Sequence, residues 1–178
     1  MKDANGAPRP RVTYAWVHTE IGRVLVAATS RGVCFASIHP DGAIERLQSW
    51  AARHEPRAEI VEDRRAMRSV LDQVAAYARG DRRVFDVDLD LRGTPFQKRV
   101  WEADRRIPYG QTRTYAQVAR SIGKPAAVRA VGGANGKNPV PLFVPCHRIV
   151  ARHGLGGFTG GLHHKRRLLA VEGAALFS

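Results

Sequence analysis

Cysteine is scarce in this chain, with two in 178 residues, Cys34 and Cys146. Two thiols cannot build a four-thiolate zinc site. No apolar run is long enough to cross a membrane. Residues 1–10 are polar, contain Gly and Pro, and lack the apolar stretch of a signal peptide, so a disordered tail is expected there. Few cysteines without an export signal point to a reducing, cytoplasmic setting and argue against a disulfide. Acidic residues are scarce in one half only. Residues 1–92 carry 15 Lys/Arg and 13 Asp/Glu, whereas residues 93–178 carry 14 against three: Glu102, Asp104 and Glu172. The second half therefore holds +11 of the net +13. Solubilising charge would not partition this way, and a polyanion, nucleic acid first, is the expected partner.

What is present reads as an α/β protein. Runs at 12–17, 24–29 and 33–38 are apolar and β-branched, separated by Gly22-Arg23 and Arg31-Gly32, which predicts hairpin-linked strands. Asp41 is placed to cap a helix running to about residue 54. Residues 58–61 suit a further strand. Met67, Val70, Leu71, Val74 and Ala78 form a helical stripe within 64–79. Between 84 and 91 apolar residues alternate with Asp86, Asp88 and Asp90, which predicts an exposed strand or an extended linker with three carboxylates on one solvated face, not a metal site. Composition and charge change at Arg92-Gly93. This divides an N-terminal α/β domain, 11–92, from a mainly helical domain, 93–178.

The second half opens on Thr94 as an N-cap with Pro95 behind it. The helix they start runs to about residue 106. Thr114 caps a short helix over 115–121. A glycine-containing turn separates it from another, starting at Pro125 and ending near Asn135. Two short helices so joined are a helix-turn-helix signal. The second is almost all small residues, including Ala127, Ala130, Gly132 and Gly133. Only Arg129 and Asn135 are long and polar, so it suits shape and backbone contact better than base reading. Tight helix packing would explain the same composition.

The stretch Pro145-Cys146-His147-Arg148 places a thiol beside a base, the pairing expected of an activated nucleophile. Cys34, inside an apolar strand, reads as core.

In order along the chain stand Gly93-Thr94-Pro95-Phe96-Gln97, Ile107-Pro108-Tyr109-Gly110, Tyr115, Arg129-Ala130-Val131-Gly132, Asn138-Pro139, Pro145-Cys146-His147-Arg148, Gly160-Gly161-Leu162 and Leu168-Leu169-Ala170-Val171-Glu172. Together they closely resemble the O6-alkylguanine-DNA alkyltransferases over residues 93–173. The first half resembles that family's N-terminal domain more loosely, and the resemblance implies a small ribonuclease H-like α/β fold there. It implies repair of O6-alkylguanine by base flipping and irreversible, single-turnover transfer of the alkyl group to Cys146, with O4-alkylthymine left open.

By the same resemblance His147 acts on Cys146 through a water and is oriented by Glu172. On an extended segment neighbouring side chains point apart, so His147 need not touch the sulfur. The surroundings are expected to lower the thiol pKa. Tyr115 contacts the flipped base and donates a proton to it. Arg129 fills the gap left in the stack, and the small-residue helix, with Ala127, Ala130, Gly132 and Asn135, lies in the minor groove. Asn138 ties a turn to the active segment, and Phe158, Thr159 and Lys165 belong to the flexible wall of the base pocket.

Some features depart from the family pattern. Phe158 stands where many members carry tyrosine, and Thr159 replaces a serine. The zinc ligands of some relatives are missing, so no metal and no cofactor are expected. No four-cysteine phosphotriester-sensing domain is recognised, so a transcription-activator role is not expected. The resemblance implies a monomer on double-stranded DNA, with cooperative assembly left open and no membrane partner. Arg148 receives no role. A non-catalytic damage binder, a helix-turn-helix regulator and a cysteine hydrolase are the alternatives. The first is disfavoured because alkyltransferase-like binders carry tryptophan where this chain has Cys146.

Overall fold

A computed structural model describes residues 9–174; most of the expected 1–10 tail lies outside them. The three N-terminal apolar runs form strands β1 (Arg11–Thr19), β2 (Gly22–Thr29) and β3 (Gly32–Ser37). With β4 (Glu59–Glu62) they make one sheet in the order β3-β2-β1-β4, antiparallel except for the parallel β1–β4 pair. Strand periodicity sorts the side chains. Val12, Leu25, Ala27 and Cys34 face helix α1 (Ala43–His54), which brings Leu47 and Trp50. Ala15, Val17, Val24, Val26 and Val33 face helix α2 (Arg68–Ala78), which brings Val70, Leu71 and Val74. Central strand β2 is buried on both faces, hence its unbroken apolar run. Cys34 is core, as expected: it is fully buried, and burial pushes its thiol up to about 12.

Local chemistry moves two helix starts. The cap of α1 is Gly42 in a left-handed conformation, not Asp41. Helix α2 starts at Arg68, four residues late, because the Asp63 carboxylate accepts from Ala66 N at 2.9 Å and holds residues 64–67 in a turn. The acidic segment pairs like an exposed strand, one of the two expected forms, but its three carboxylates do not share a solvated face. It bridges the edge of β3, with Val33 N donating to Asp88 O and Asp90 N to Val33 O. Asp90 is buried and paired with Arg31 and Arg92, so only Asp86 and Asp88 stay exposed.

The second half contributes α3 (Pro95–Arg105), α4 (Tyr115–Ser121), α5 (Val128–Gly136) and α6 (Leu162–Val171). Thr94 and Thr114 each close a capping box with the glutamine three residues on. Helix α5 begins at Val128, not Pro125, since Ala127 N bonds Lys124 O and Pro125 sits inside that turn. Val100, Ile107, Val118, Val131, Ala134 and Ile149 bind α3, α4 and α5 together. Residues Val140, Leu142, Phe143, Val144 and Leu168 join the α2 side of the first core, so burial is continuous across residue 92. The short strands β5 (Arg113–Thr114) and β6 (Ile149–Val150) pair in parallel. This pairing sets Tyr115 beside the segment that follows Cys146. Among the described residues no helix is long and apolar enough to cross a membrane.

Asp104 breaks the pattern of the helical core. It is fully buried one turn after Val100, and neither carboxylate oxygen has a hydrogen-bond partner among the described residues. Burial pushes its carboxyl up to about 8. The folded state then binds a proton that the unfolded chain releases near pH 4, so the Asp104 contribution to stability declines from about pH 4 to about pH 8 and is level above. Replacing it by leucine (D104L) is expected to stabilise the fold by about 1–3 kcal/mol at pH 9, with a smaller gain at pH 5. Denaturant unfolding of both proteins at the two pH values checks this, and a gain independent of pH would contradict it.

Candidate functional site

Asn138 builds the loop that carries Cys146. Its side-chain oxygen accepts from Val140 N at 3.0 Å, and its amide donates to Val144 O at 2.8 Å and to Cys146 Sγ at 3.2 Å. Between these anchors Leu142 is buried with φ of 81°, a left-handed conformation that a branched side chain rarely adopts. Leu142 and Phe143 thereby plug the core while the chain reverses toward Cys146.

Residues Cys146–Arg148 form a 3-10 turn, not the extended segment expected. The consequence for His147 is similar. No hydrogen bond joins its ring to Cys146 among the described residues. Its Nε2 instead lies 2.7 Å from Glu172 Oε1. A carboxylate can only accept, so Nε2 carries the proton and Nδ1 is the basic nitrogen. Nδ1 is buried and has no partner among the described residues.

Glu172 is the hub of the site. Besides His147 it accepts from Tyr77 Oη, from Gly110 N at 2.9 Å, and from Arg148 Nε and Nη2 at 3.0–3.1 Å. Gly110 is required here, since a Cβ would come within 2.9 Å of Glu172 O and φ is 75°. Burial opposes the charge on Glu172, but the hydrogen bonds from His147, Arg148 and Tyr77 outweigh it and hold the carboxyl at about 2. Its stabilising contribution is lost only as the pH falls from about 4.5 to about 2. Burial lowers the His147 pKa, partly offset by Glu172, so the ring is a neutral base at neutral pH.

Arg148 and Tyr77 are the residues missed in the sequence. Arg148 is buried, donates to Ile107 O at 2.6 Å, and clamps Glu172. As the only acid after Asp104 in a basic half, Glu172 was a signal that some cation must pair with it. Nothing in the α2 stripe marked the Tyr77 hydroxyl.

The thiol itself is not pre-ionised. Burial pushes Cys146 up to about 12, against the downward pull of the Asn138 amide and Lys165, which corrects the expectation of a lowered pKa. Cys146 opens on a cavity of about 320 Å³, lined also by Tyr115, Gly132, Asn135, Gly136, Gly157, Phe158 and Thr159. The Tyr115 hydroxyl donates to Gly157 O at 3.3 Å, and burial, then Cys146, raises its pKa, so it holds its proton. Thr159 Oγ1 donates to Gly136 O at 3.2 Å, tying the loop to the end of α5. Lys165 is a fully buried strut, donating to the carbonyls of Ile149, Leu155 and Gly157. Burial lowers its pKa to about 8.

On α5, Arg129 and Ala130 are exposed, and Ala127 and Gly132 are half-buried. Asn135 faces inward: it is 9% exposed, and both amide atoms are buried without a partner among the described residues. A Cβ at Gly133 would meet nothing within 4 Å, and one at Gly132 only ordinary contact with the Tyr115 ring. Internal packing therefore does not require these glycines.

The family model for the DNA-binding domain of 6-O-methylguanine DNA methyltransferase matches residues 95–174. A methylated-DNA–protein-cysteine methyltransferase from Mycobacterium tuberculosis is 50% identical over 131 residues, 72% of this chain and 79% of that protein. Another, from Methanosarcina acetivorans, is 40% identical over 163 residues, 90% of this chain and 98% of its own. This chain belongs to their family. The crystal structure of Mycobacterium tuberculosis OGT in complex with DNA superposes on it with a TM-score of 0.78 and 39% identity, covering 91% of this chain and 93% of the other. In this chain Cys146 is thus expected to rest as a thiol. The rate at which a small haloacetamide modifies Cys146 should climb about tenfold per pH unit through pH 10. A plateau near pH 7 in peptide-resolved mass spectrometry would contradict a buried, neutral thiol.

Proposed function

We propose that the chain repairs O6-alkylguanine in double-stranded DNA by moving the alkyl group irreversibly onto Cys146. One observation carries this reading: the Cys146 thiol opens on a cavity shared with Tyr115, while the His147–Glu172 pair stands behind it. A water relays the thiol proton to His147 Nδ1. The sulfur attacks the alkyl carbon, the S–C bond forms, and the C–O6 bond breaks. Tyr115 gives its proton to the departing guanine and recovers one from His147 through solvent. The products are neutral guanine and an S-alkyl cysteine, and nothing removes the alkyl group, so each chain reacts once.

The reaction centre is enclosed, so the base must leave the duplex to reach it, at a cost of a few kcal/mol that is least for a damaged pair. Arg129, exposed on α5, fills the vacated space in the stack. Ala127, Ala130, Gly132 and the unobstructed Gly133 let α5 press into the minor groove. Asn135 meets the DNA from inside the cavity, offering its amide to the flipped base, with Asn138, Phe158, Thr159 and Lys165 shaping the walls. Residues 11–92, ribonuclease H-like in our reading, support the domain 93–178 that carries the chemistry. The +11 of that domain draws the polyanion. The protein acts as a cytoplasmic monomer.

Incubation with duplex DNA containing O6-methylguanine should add one methyl group per chain, mapped to Cys146 by intact mass and peptide analysis. Cys146→Ala should gain none. An unmodified Cys146, or turnover beyond one equivalent, would overturn the proposal.

A further inference from the structure

We infer that Tyr77, carried by α2 in the first half of the chain, is a positioning residue for alkyl transfer and not only a packing residue of the core. The inference rests on the reading of Cys146 as alkyl acceptor. Tyr77 is fully buried, and its ring packs against Phe85 and Tyr109, with centroids 4.9 and 5.9 Å away. Phenylalanine would satisfy all of that packing. The hydroxyl goes further: it donates to Glu172 Oε1, the same oxygen that receives His147 Nε2, and it lies 3.2 Å from that nitrogen. Every other group on this carboxylate comes from residues after 92: Gly110, His147 and Arg148. Among the described residues Tyr77 is the single point at which α2 hydrogen-bonds to the relay.

Three consequences follow from the geometry. The hydroxyl crowds Oε1 together with Arg148, which narrows the directions from which the histidine ring can approach and helps hold its tautomer with Nδ1 unbonded. The donated hydrogen bond also stabilises the ionised carboxylate and makes it a weaker base, which moderates the pull of Glu172 on the imidazole proton. The sheet and α2 are thereby tied to the chemistry by a hydrogen bond whose loss leaves the core filled. Burial and the neighbouring Glu172 hold the tyrosine pKa well above its usual value, so it serves as a fixed donor and not as a proton carrier.

The test is Tyr77→Phe, which keeps the ring and removes only the hydroxyl. Three measurements apply to the full chain. Melting temperature reports folding. NMR titration of the His147 ring in the unreacted protein should show its pKa moved upward, because Glu172 has lost a donor and become the stronger base. Single-turnover transfer from O6-methylguanine duplex should slow about 10-fold or more, with its acid limb shifted the same way and duplex affinity unchanged. A His147 titration and a transfer profile both matching the parent protein would overturn the inference. The NMR arm requires no substrate, so it remains decisive even if the parent protein fails to accept a methyl group, a failure that counts against the proposed function instead.

Discussion

One carboxylate at the C-terminal end of α6 receives hydrogen bonds from four residues in three separate places in the chain: Tyr77 in α2, Gly110 in the loop after α3, and the His147 and Arg148 pair in the turn that holds Cys146. A buried ionised carboxylate is tolerated only when its lone pairs are fully met, and here the donors hold it charged down to about pH 2. Meeting that condition dictates the positions of the donors. Gly110 must lack a side chain, the Cys146–Arg148 turn must curl into 3-10 geometry to aim two neighbouring residues at one acceptor, and α2 must lie against the second half of the chain.

The reactive thiol gains little from this hub directly. Its environment leaves it protonated, with Asn138 and Lys165 too weak to offset burial. In the proposed reaction a protected thiol suits a reagent consumed once, since premature oxidation or alkylation would waste the whole chain. In the same proposal activation falls to the neutral His147, whose Nδ1 is left free by the proton that Glu172 holds on Nε2. Glu172 thus sets both the architecture of the site and the tautomer that serves it.

Much of this was legible beforehand. Strands, the two threonine caps and the core stripe follow from periodicity and capping chemistry, which are local. Cys146 and His147 stand out in the sequence as a compact pair of thiol and base, while Glu172 comes through the family resemblance, supported by its being a rare acid in a basic half. What escaped were properties that depend on distant partners. Arg148 and Tyr77 became intelligible only once α6 and α2 converged on one acceptor. Asn135 looked like a groove contact by its helix position, yet it turns inward because α5 packs that face toward Tyr115 and Cys146. The thiol pKa was misjudged because net positive charge was visible in the sequence while full burial was not. Asp104 gave no warning either: helical spacing put an acid at a core position, and its protonation there is a product of enclosure.

The central claim is that the Glu172 carboxylate organises the relay that activates Cys146. It is tested most directly by the single-turnover rate of methyl transfer in Glu172→Gln, measured on protein shown to be folded and to bind duplex DNA like the parent. A glutamine can no longer hold the His147 tautomer as an anion, so the rate should fall by roughly 10²–10⁴-fold. A folded E172Q protein that transfers at nearly the parental rate would contradict the account.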